Sequence, residues 1–287
     1  MGAGNMTTTD VRRVSLPSGE AVPVLGQGTW HMAEDPHRRI QEIATLRLGL
    51  DLGMTLIDTA EMYADGSAEE LVGEAISGRR DEVFLVSKVL PQHATRRGTI
   101  VACERSLKRL GTDHLDLYLL HWRGGVPLQE TVDAFHVLQH TGLIRHWGVS
   151  NFDLASMQEL VALPGGADVT TNQVLYNLTR RGIEHDLLPW CRKHGLPIMA
   201  YSPIEQGRRI HHTVLEAVAA GHAATPAQVA LAWVVRQPGI IAIPKASHPD
   251  HVIENRAALE LHLTDQDLAW LELAFPPPDG PQPLEMI

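Results

Sequence analysis

The chain has 287 residues, a formal net charge of -10, 44 % hydrophobic residues and 20 % charged residues. This composition is typical of a globular protein with a sizeable core, and the acidic balance argues against nucleic acid or an anionic membrane as a partner. The two cysteines, Cys103 and Cys191, make neither a disulfide framework nor a CxxC pair, and no apolar stretch predicts a secretory signal or a membrane span. We therefore expect a cytoplasmic protein.

The first predicted element is a β-hairpin over residues 12–23, with Pro17, Ser18 and Gly19 at its centre. Residues 1–11 are expected to be disordered. Eight apolar runs follow, separated by amphipathic helices, at residues 24–29, 55–59, 83–88, 115–121, 145–150, 169–174, 196–202 and 240–244. Most are rich in Val, Ile and Leu and do not alternate with polar residues, which is typical of parallel strands buried on both faces.

Several of the intervening helices have recognisable starts. Ser67 and Glu70 have the spacing of a capping box, and so do Thr264 and Asp267. Thr225, followed by a proline, predicts the start of another helix.

Eight strand–helix units without a linker predict an α/β fold, a closed (β/α)8 TIM barrel whose bottom is closed by the N-terminal hairpin. We expect one domain over residues 1–287, with residues 276–287 as a C-terminal tail. A doubly wound open sheet is the alternative that strand–helix alternation leaves.

Polar groups stand at the carboxyl end of every predicted strand, where barrels of this kind have their active sites. In chain order they are Thr29 and Trp30, Asp58 and Tyr63, Lys88, His121 and Trp122, Ser150 and Asn151, Gln173, Tyr201 and Ser202, and Lys245. Each has a structural explanation when taken singly, as a helix cap, a packed ring or a solvated end. Together they indicate one chemistry.

Four of these groups suit the reduction of a carbonyl. Tyr63 can give a proton to the developing alkoxide, although the ordinary pKa of tyrosine, about 10, is far from neutral. The ammonium of Lys88 is expected to lower that pKa, with Asp58 holding the ammonium in place. A neutral His121 can donate a hydrogen bond to the carbonyl oxygen.

Six ordered stretches resemble the aldo-keto reductase superfamily, over essentially the whole chain. The longer ones are residues 53–63 (GMTLIDTAEMY), 110–122 (LGTDHLDLYLLHW) and 142–152 (GLIRHWGVSNF); the shorter ones are 172–173, 200–203 and 243–245 with 254–255. The resemblance is to bacterial members with short loops, in the diketogluconate/aldehyde reductase branch.

The resemblance implies NAD(P)H-dependent reduction of small aldehydes, ketones or sugar-derived carbonyls, without a metal. NADP(H) is the expected cofactor, with NAD(H) as a second one. The implied catalytic tetrad is Asp58, Tyr63, Lys88 and His121, with Tyr63 as proton donor. The implied cofactor contacts are Gly28, Thr29, Trp30, Asp58, Ser150, Asn151, Gln173, Tyr201, Ser202, Ile204, Gln206, Lys245, Ala246, Ser247, His251, Glu254 and Asn255. The implied substrate contacts are Trp30, Tyr63, His121 and Trp122. Arg123 follows Trp122 at the expected mouth of the pocket and is a further candidate, which would favour acidic carbonyl compounds; a solvated loop arginine is the alternative.

This sequence departs from the family pattern at two cofactor positions and two loops. Ala246 stands where serine is frequent and His251 where arginine is frequent, so only a modest preference for NADPH over NADH is expected, because an imidazole, unlike a guanidinium, is not always charged at neutral pH. The loop over residues 122–127 and the Pro-rich tail are short, which predicts an open site with broad acceptance. We expect a monomer.

Two other functions fit parts of this pattern. One is a lyase in which Lys88 forms a Schiff base, but Ser150, Asn151 and Gln173 would then have no purpose. The other is a regulatory protein that binds the cofactor without turnover, and the complete tetrad argues against it.

Overall fold

The computed structural model describes residues 11–207 and 211–287. Its first two strands, β1 (Arg13–Ser15) and β2 (Ala21–Pro23), form an antiparallel hairpin. Eight parallel strands then pair in chain order: β3 (Gln27–Gly28), β4 (Leu56–Asp58), β5 (Phe84–Val89), β6 (Leu115–Leu120), β7 (Ile144–Ser150), β8 (Asn172–Leu175), β9 (Ile198–Tyr201) and β10 (Ile240–Ala242). Each falls within or overlaps a predicted strand, so the predicted succession of strands is confirmed.

The sheet closes on itself. Parallel bridges join Leu25 to Ala242 and Gly28 to Lys245, and the Gly28 amide donates to the Pro244 carbonyl at 3.0 Å. A side chain at Gly28 would begin 2.7 Å from the carbonyl oxygen of Ile243, so closure at this point requires glycine. The (β/α)8 barrel is confirmed, and the open sheet is excluded.

The interior of the barrel is filled by apolar side chains, which excludes a pore. This cluster consists of Leu56, Phe84, Val86, Leu117, Leu119, Met199, Ile241 and Ile243, together with Leu16 and Val22 of the hairpin. Leu56 and Phe84 are the first residues of their strands. The hairpin therefore closes the amino-terminal end of the barrel, as predicted, and the carboxyl ends of the strands remain for the site.

Ten α-helices are described around the barrel: α1 (Arg39–Asp51), α2 (Ser67–Ile76), α3 (Arg96–Leu110), α4 (Leu128–His140), α5 (Leu154–Ala162), α6 (Leu187–Lys193), α7 (Thr213–Gly221), α8 (Pro226–Val235), α9 (Pro249–Ala257) and α10 (Asp265–Ala274). Capping boxes begin α8 at Thr225 and α10 at Thr264. The predicted capping box of α2 is wrong, because Ser67 is already inside the helix and Gly66, at φ +90°, stands at the cap without a side-chain bond.

The chain ends depart in part from expectation. Of the segment expected to be disordered, residues 1–10 lie outside the described part of the chain. Its last residue, Val11, is described and is buried in the main core. Among the described residues, each helix alone is too short or too polar to span a membrane, and Thr213–Gly221 with Pro226–Val235 meet the length and hydropathy only as a pair bent by 87°.

Candidate active site

A cleft of about 1000 Å³ lies at the carboxyl ends of the barrel strands. Every residue that the sequence assigned to the cofactor or the substrate lines it except Arg123, and the tetrad lines it except Lys88. The volume is at the upper end of the range of about 300–1,000 Å³ that small-molecule sites span, enough for a long cofactor and a small substrate together. Barrel closure therefore brings the eight predicted strand ends to one place.

Lys88 lies beneath the cleft with no exposed area. Its ammonium donates to the Asp58 carboxylate at 2.7 Å, to the Thr59 carbonyl at 3.0 Å and to the Tyr63 hydroxyl oxygen at 3.0 Å. All three ammonium protons are therefore used, and one of them fixes the hydroxyl of Tyr63. The other oxygen of Asp58 accepts from the side-chain amide of Gln173 at 2.7 Å.

Burial has the largest single effect on the pKa of Tyr63 and on that of Lys88. It raises the pKa of Tyr63 above its ordinary value, although the positive charge of Lys88 lowers that pKa in part. The expected lowering of the Tyr63 pKa by the ammonium is thus confirmed, but in the chain itself the loss of solvent around the phenol outweighs it. Tyr63 stays protonated at neutral pH, as a proton donor must.

Lys88 is held in its charged form. Burial alone lowers the pKa of Lys88, but the negative charge of Asp58 and the hydrogen bonds that the ammonium donates to Asp58 and Tyr63 raise it overall. A Schiff base needs a neutral amine as nucleophile. The arrangement therefore disfavours the lyase alternative.

His121 is the neutral donor that the chemistry requires. Burial, followed by the charge of Lys88, lowers the pKa of His121 to about 2. Its Nδ1 is buried and has no hydrogen-bond partner within residues 11–207 and 211–287. We assign the single proton of the ring to Nε2, because an N–H group at Nδ1 would be stranded there. The ring stands 5.7 Å from that of Tyr63, edge to face.

Tyr63 is presented by a strained turn. Ala64 and Asp65 both have left-handed backbone conformations, at φ 47° and 51°, and Gly66 follows at φ +90°. Such strain costs about 1–3 kcal/mol a residue and gathers at functional sites. A side chain on Gly66 would begin 2.6 Å from Arg109, whose guanidinium is fixed by the buried Glu69 at 2.6 Å. The Arg109–Glu69 pair thereby supports the turn at Gly66.

The groups expected to hold a nicotinamide carboxamide form one hydrogen-bonded set. The Ser150 hydroxyl donates to the Gln173 carbonyl at 2.8 Å, and the Tyr201 hydroxyl donates to the Asn151 side-chain oxygen at 2.9 Å. Asn151 itself has a left-handed backbone, at φ 59°. Hydroxyl, amide and aromatic groups beside the tetrad fit a nicotinamide ring, which needs amide partners and a stacking face.

The far end of the cleft fits the adenosine end of such a cofactor, although the donors differ from those expected. Lys245, Ala246, Ser247 and His251 line it as predicted, but the Ser247 hydroxyl donates to the buried Glu42 at 3.0 Å. Sequence reasoning missed three polar residues that also line this end: Arg38, Gln41 and His248. The first two lie at the amino-terminal end of α1, far in sequence from Lys245, and no family motif marked them.

The substrate end has aromatic walls. Trp30 stacks on His31 at 4.4 Å, and the ring of Trp122 lies 4.8 Å from that of His121. The C-terminal tail, although short, returns to the cleft, which Met286 and Ile287 line. The open site expected from the short loop and tail stays a prediction.

Arg123 does not take the predicted position at the mouth of the pocket. Its guanidinium makes a two-point ion pair with Glu159 of α5, at 2.6 and 2.8 Å. It is absent from the described lining of the cleft. The prediction that it contacts the substrate is wrong, because a carboxylate on the next helix satisfies it.

Comparison with known proteins agrees with this geometry. The model of the aldo/keto reductase family matches residues 24–274. Methylglyoxal reductase YeaE of Escherichia coli is 53 % identical over 281 residues, covering 96 % of this chain and 99 % of the relative. Glyoxal reductase of Bacillus subtilis is 33 % identical, covering 98 % of this chain and 100 % of the relative. A crystal structure of an aldo/keto reductase from Klebsiella pneumoniae with NADP and acetate has a TM-score of 0.95 and 52 % identity, covering 96 % of this chain and 100 % of that one.

Proposed function

Because this chain belongs to the aldo/keto reductase family, we propose that it is an NADPH-dependent reductase of small 2-oxoaldehydes such as methylglyoxal and glyoxal. That it is an NAD(P)H-dependent oxidoreductase acting on carbonyl compounds follows from the family and its close relatives. The observation that carries the proposal is the charged Lys88 bonded to both Asp58 and the Tyr63 hydroxyl, beside a neutral His121.

The four residues divide the work on the aldehyde. When bound, the reduced nicotinamide supplies a hydride to the aldehyde carbon. His121 donates an N–H to the carbonyl oxygen and holds it toward Tyr63. The phenol of Tyr63 gives that oxygen its proton, Lys88 stabilises the phenolate that remains, and solvent restores the proton.

The walls of the site favour small neutral substrates. Trp30, Met62 and Trp122 give it apolar and aromatic surface, and Met286 of the C-terminal tail adds to the apolar lining. The one cation expected at the mouth, Arg123, is neutralised by Glu159. An acidic substrate would therefore lack a fixed counter-ion, whereas a short uncharged dicarbonyl compound needs none.

We extend the proposal to the remaining cofactor contacts and to the state of the chain. Ser150, Asn151, Gln173 and Tyr201 hold the nicotinamide, and the chain is one domain, a cytoplasmic monomer. Buried free thiols at Cys103 and Cys191 suit a reducing compartment. The large exposed apolar side chains of the described residues are spread over α1, α3, α9 and α10, the loop before α2 and the C-terminal tail, which favours a monomer. Light scattering after size exclusion tests the monomer.

Absorbance of NADPH with methylglyoxal, glyoxal and pyruvate tests the substrate class. We expect kcat/KM for the two aldehydes to exceed that for pyruvate, a keto acid, by tenfold or more, which is about 1.4 kcal/mol in transition-state free energy. Product analysis should show reduction at the aldehyde carbon. No NADPH oxidation with either aldehyde would overturn the proposal, and equal rates with pyruvate would overturn its substrate class.

A further inference from the structure

Several basic side chains line the cleft of this otherwise acidic protein. Lys245, His248 and His251 come from the loop after β10 and from α9, and Arg38 comes from the turn just before α1. The family pattern often has an arginine at position 251, where this chain has histidine. Arg38 offers a guanidinium from a different part of the chain.

We infer that Arg38 supplies the guanidinium that holds the 2′-phosphate of NADPH, and that it sets the preference of this enzyme for NADPH over NADH. The inference rests on the proposed function, since it names a residue of the same cofactor site. A guanidinium presents a planar fork of donors that matches a phosphate at two points, and it is charged at every physiological pH.

Arg38 is available for a ligand. It ends a short 3-10 turn (Pro36–Arg38) that leads into α1, and 66 % of its side chain is exposed. The ion pair described for it is a loose one, 3.6 Å from Asp35, whose side chain is itself 47 % exposed. Such a pair is worth no more than about 1 kcal/mol, so an anion in the cleft can draw the guanidinium away.

The base of Arg38 is fixed relative to Lys245. One helical turn further on, the Gln41 amide donates to the Ser247 carbonyl at 2.9 Å, and the Ser247 hydroxyl donates to Glu42 at 3.0 Å. Arg38 immediately precedes α1, three residues before Gln41, and both residues line the cleft. The first turn of α1 is therefore bonded to the loop that carries Lys245.

The other donors at this end cannot replace Arg38. The Ser247 hydroxyl donates its only proton to one carboxylate oxygen of Glu42. The other oxygen of Glu42 accepts a hydrogen bond from the Ala33 amide at 2.9 Å. Lys245 is a single point charge. Loss of solvent lowers the pKa of Lys245, and the charge of Arg38 lowers it further, against the opposing effect of Glu42. The positive charges of Arg38 and Lys245 repel each other, so a doubly charged phosphate bound beside them would stabilise both.

Binding of paired ligands tests the inference without catalysis. Titration calorimetry gives the Kd of NADP⁺ and NAD⁺, and of adenosine 2′,5′-bisphosphate and AMP, for the wild type, Arg38→Gln and Arg38→Lys. For Arg38→Gln we expect Kd to rise about 10- to 100-fold for the two 2′-phosphorylated ligands, the loss of one charged hydrogen-bonding partner. Kd for NAD⁺ and AMP should stay within about twofold, and Arg38→Lys should lie between.

Arg39→Gln is the matched control, because Arg39 is the next residue and is paired with Glu74 at 2.6 Å. It should leave all four Kd values unchanged. In turnover, Arg38→Gln should raise KM for NADPH and keep kcat at saturating NADPH. Equal losses for NADP⁺ and NAD⁺, or no loss for either, would overturn the role of Arg38 alone. A wild type that binds neither dinucleotide would overturn the proposed function itself.

Discussion

Replacing Lys88 by methionine removes the charge on which the tetrad is built. The ammonium is fully buried and makes three hydrogen bonds, while Asp58 is only 2 % exposed. Methionine fills a similar volume but leaves the carboxylate with the Gln173 amide as its remaining partner in the described structure. A buried carboxylate without a cation costs about 3–5 kcal/mol, so we expect Lys88→Met to lose that much free energy of unfolding.

Urea denaturation at pH 7, followed by tryptophan fluorescence, measures this loss. Asp58→Asn strands the ammonium and should cost a similar amount. The double variant Asp58→Asn with Lys88→Met leaves no charge unpaired, so its loss should be smaller than the sum of the single losses by about 1–3 kcal/mol. Lys108→Met, on the exposed surface of α3, is the control and should change stability by less than about 0.5 kcal/mol.

The same variant changes catalysis through Tyr63. The charge of Lys88 lowers the pKa of that phenol, so its removal raises the pKa further and slows proton transfer. The fall of the reduction rate at alkaline pH should move to higher pH in a chemistry-limited assay. A Lys88→Met variant within about 1 kcal/mol of wild type, an additive double variant, or an unmoved pH profile would each refute this reasoning.

Three further variants probe the site. Tyr63→Phe should lower kcat by about 10²–10⁴-fold with cofactor Kd unchanged, and more than a tenth of wild-type turnover would refute its role. His121→Gln should remove part of the acid sensitivity of folding. The folded pKa of about 2 lies below the unfolded value of 6.5, so the contribution is complete above pH 6.5 and falls by about 1.4 kcal/mol per pH unit below it, until pH 2. Equal slopes in wild type and variant, from urea denaturation at several pH values, would contradict this. Arg123→Ala should leave KM unchanged for both a keto acid and a neutral aldehyde, because Glu159 holds that side chain; a rise for the acid alone would return it to the site.

That the tetrad residues and the residues assigned to the nicotinamide lie together could be predicted, because barrel topology converts order in the sequence into position. Parallel strands paired in chain order bring their carboxyl ends to one edge. Asp58, Lys88 and Gln173, which come from three different strands, could thus be placed together before any contact was known, and they are bonded to one another. Their roles depend on which strand ends they occupy, and strand ends are visible as breaks in apolar runs.

The errors share a different physical cause, competition from partners that periodicity does not reveal. Arg123 turns away because a carboxylate 36 residues later satisfies it, and Ser67 is no cap because the strained turn after Tyr63 fixes the entry of α2. The return of the tail was likewise not predicted: Met286 and Ile287 line the cleft, and Glu285 just before them pairs with Arg180, which also pairs with Glu205. The contacts of Arg123 and of the tail are long-range and the turn before α2 is local, but none of them changes the apolar periodicity that marks the strands.

The role inferred for Arg38 illustrates how a position-by-position comparison can miss a specificity residue. The family pattern places the phosphate-binding cation near the motif that contains Lys245, where this chain has His251. Closure of the barrel, however, places the first strand beside the last, so that Gln41 bonds Ser247 across 206 residues of sequence. On this inference, Arg38, just before α1, contacts the same phosphate from a part of the chain that is remote in sequence. Recognition of a dianion depends on where charge lies in space, and a guanidinium at Arg38 can compensate for the arginine that this chain lacks at position 251.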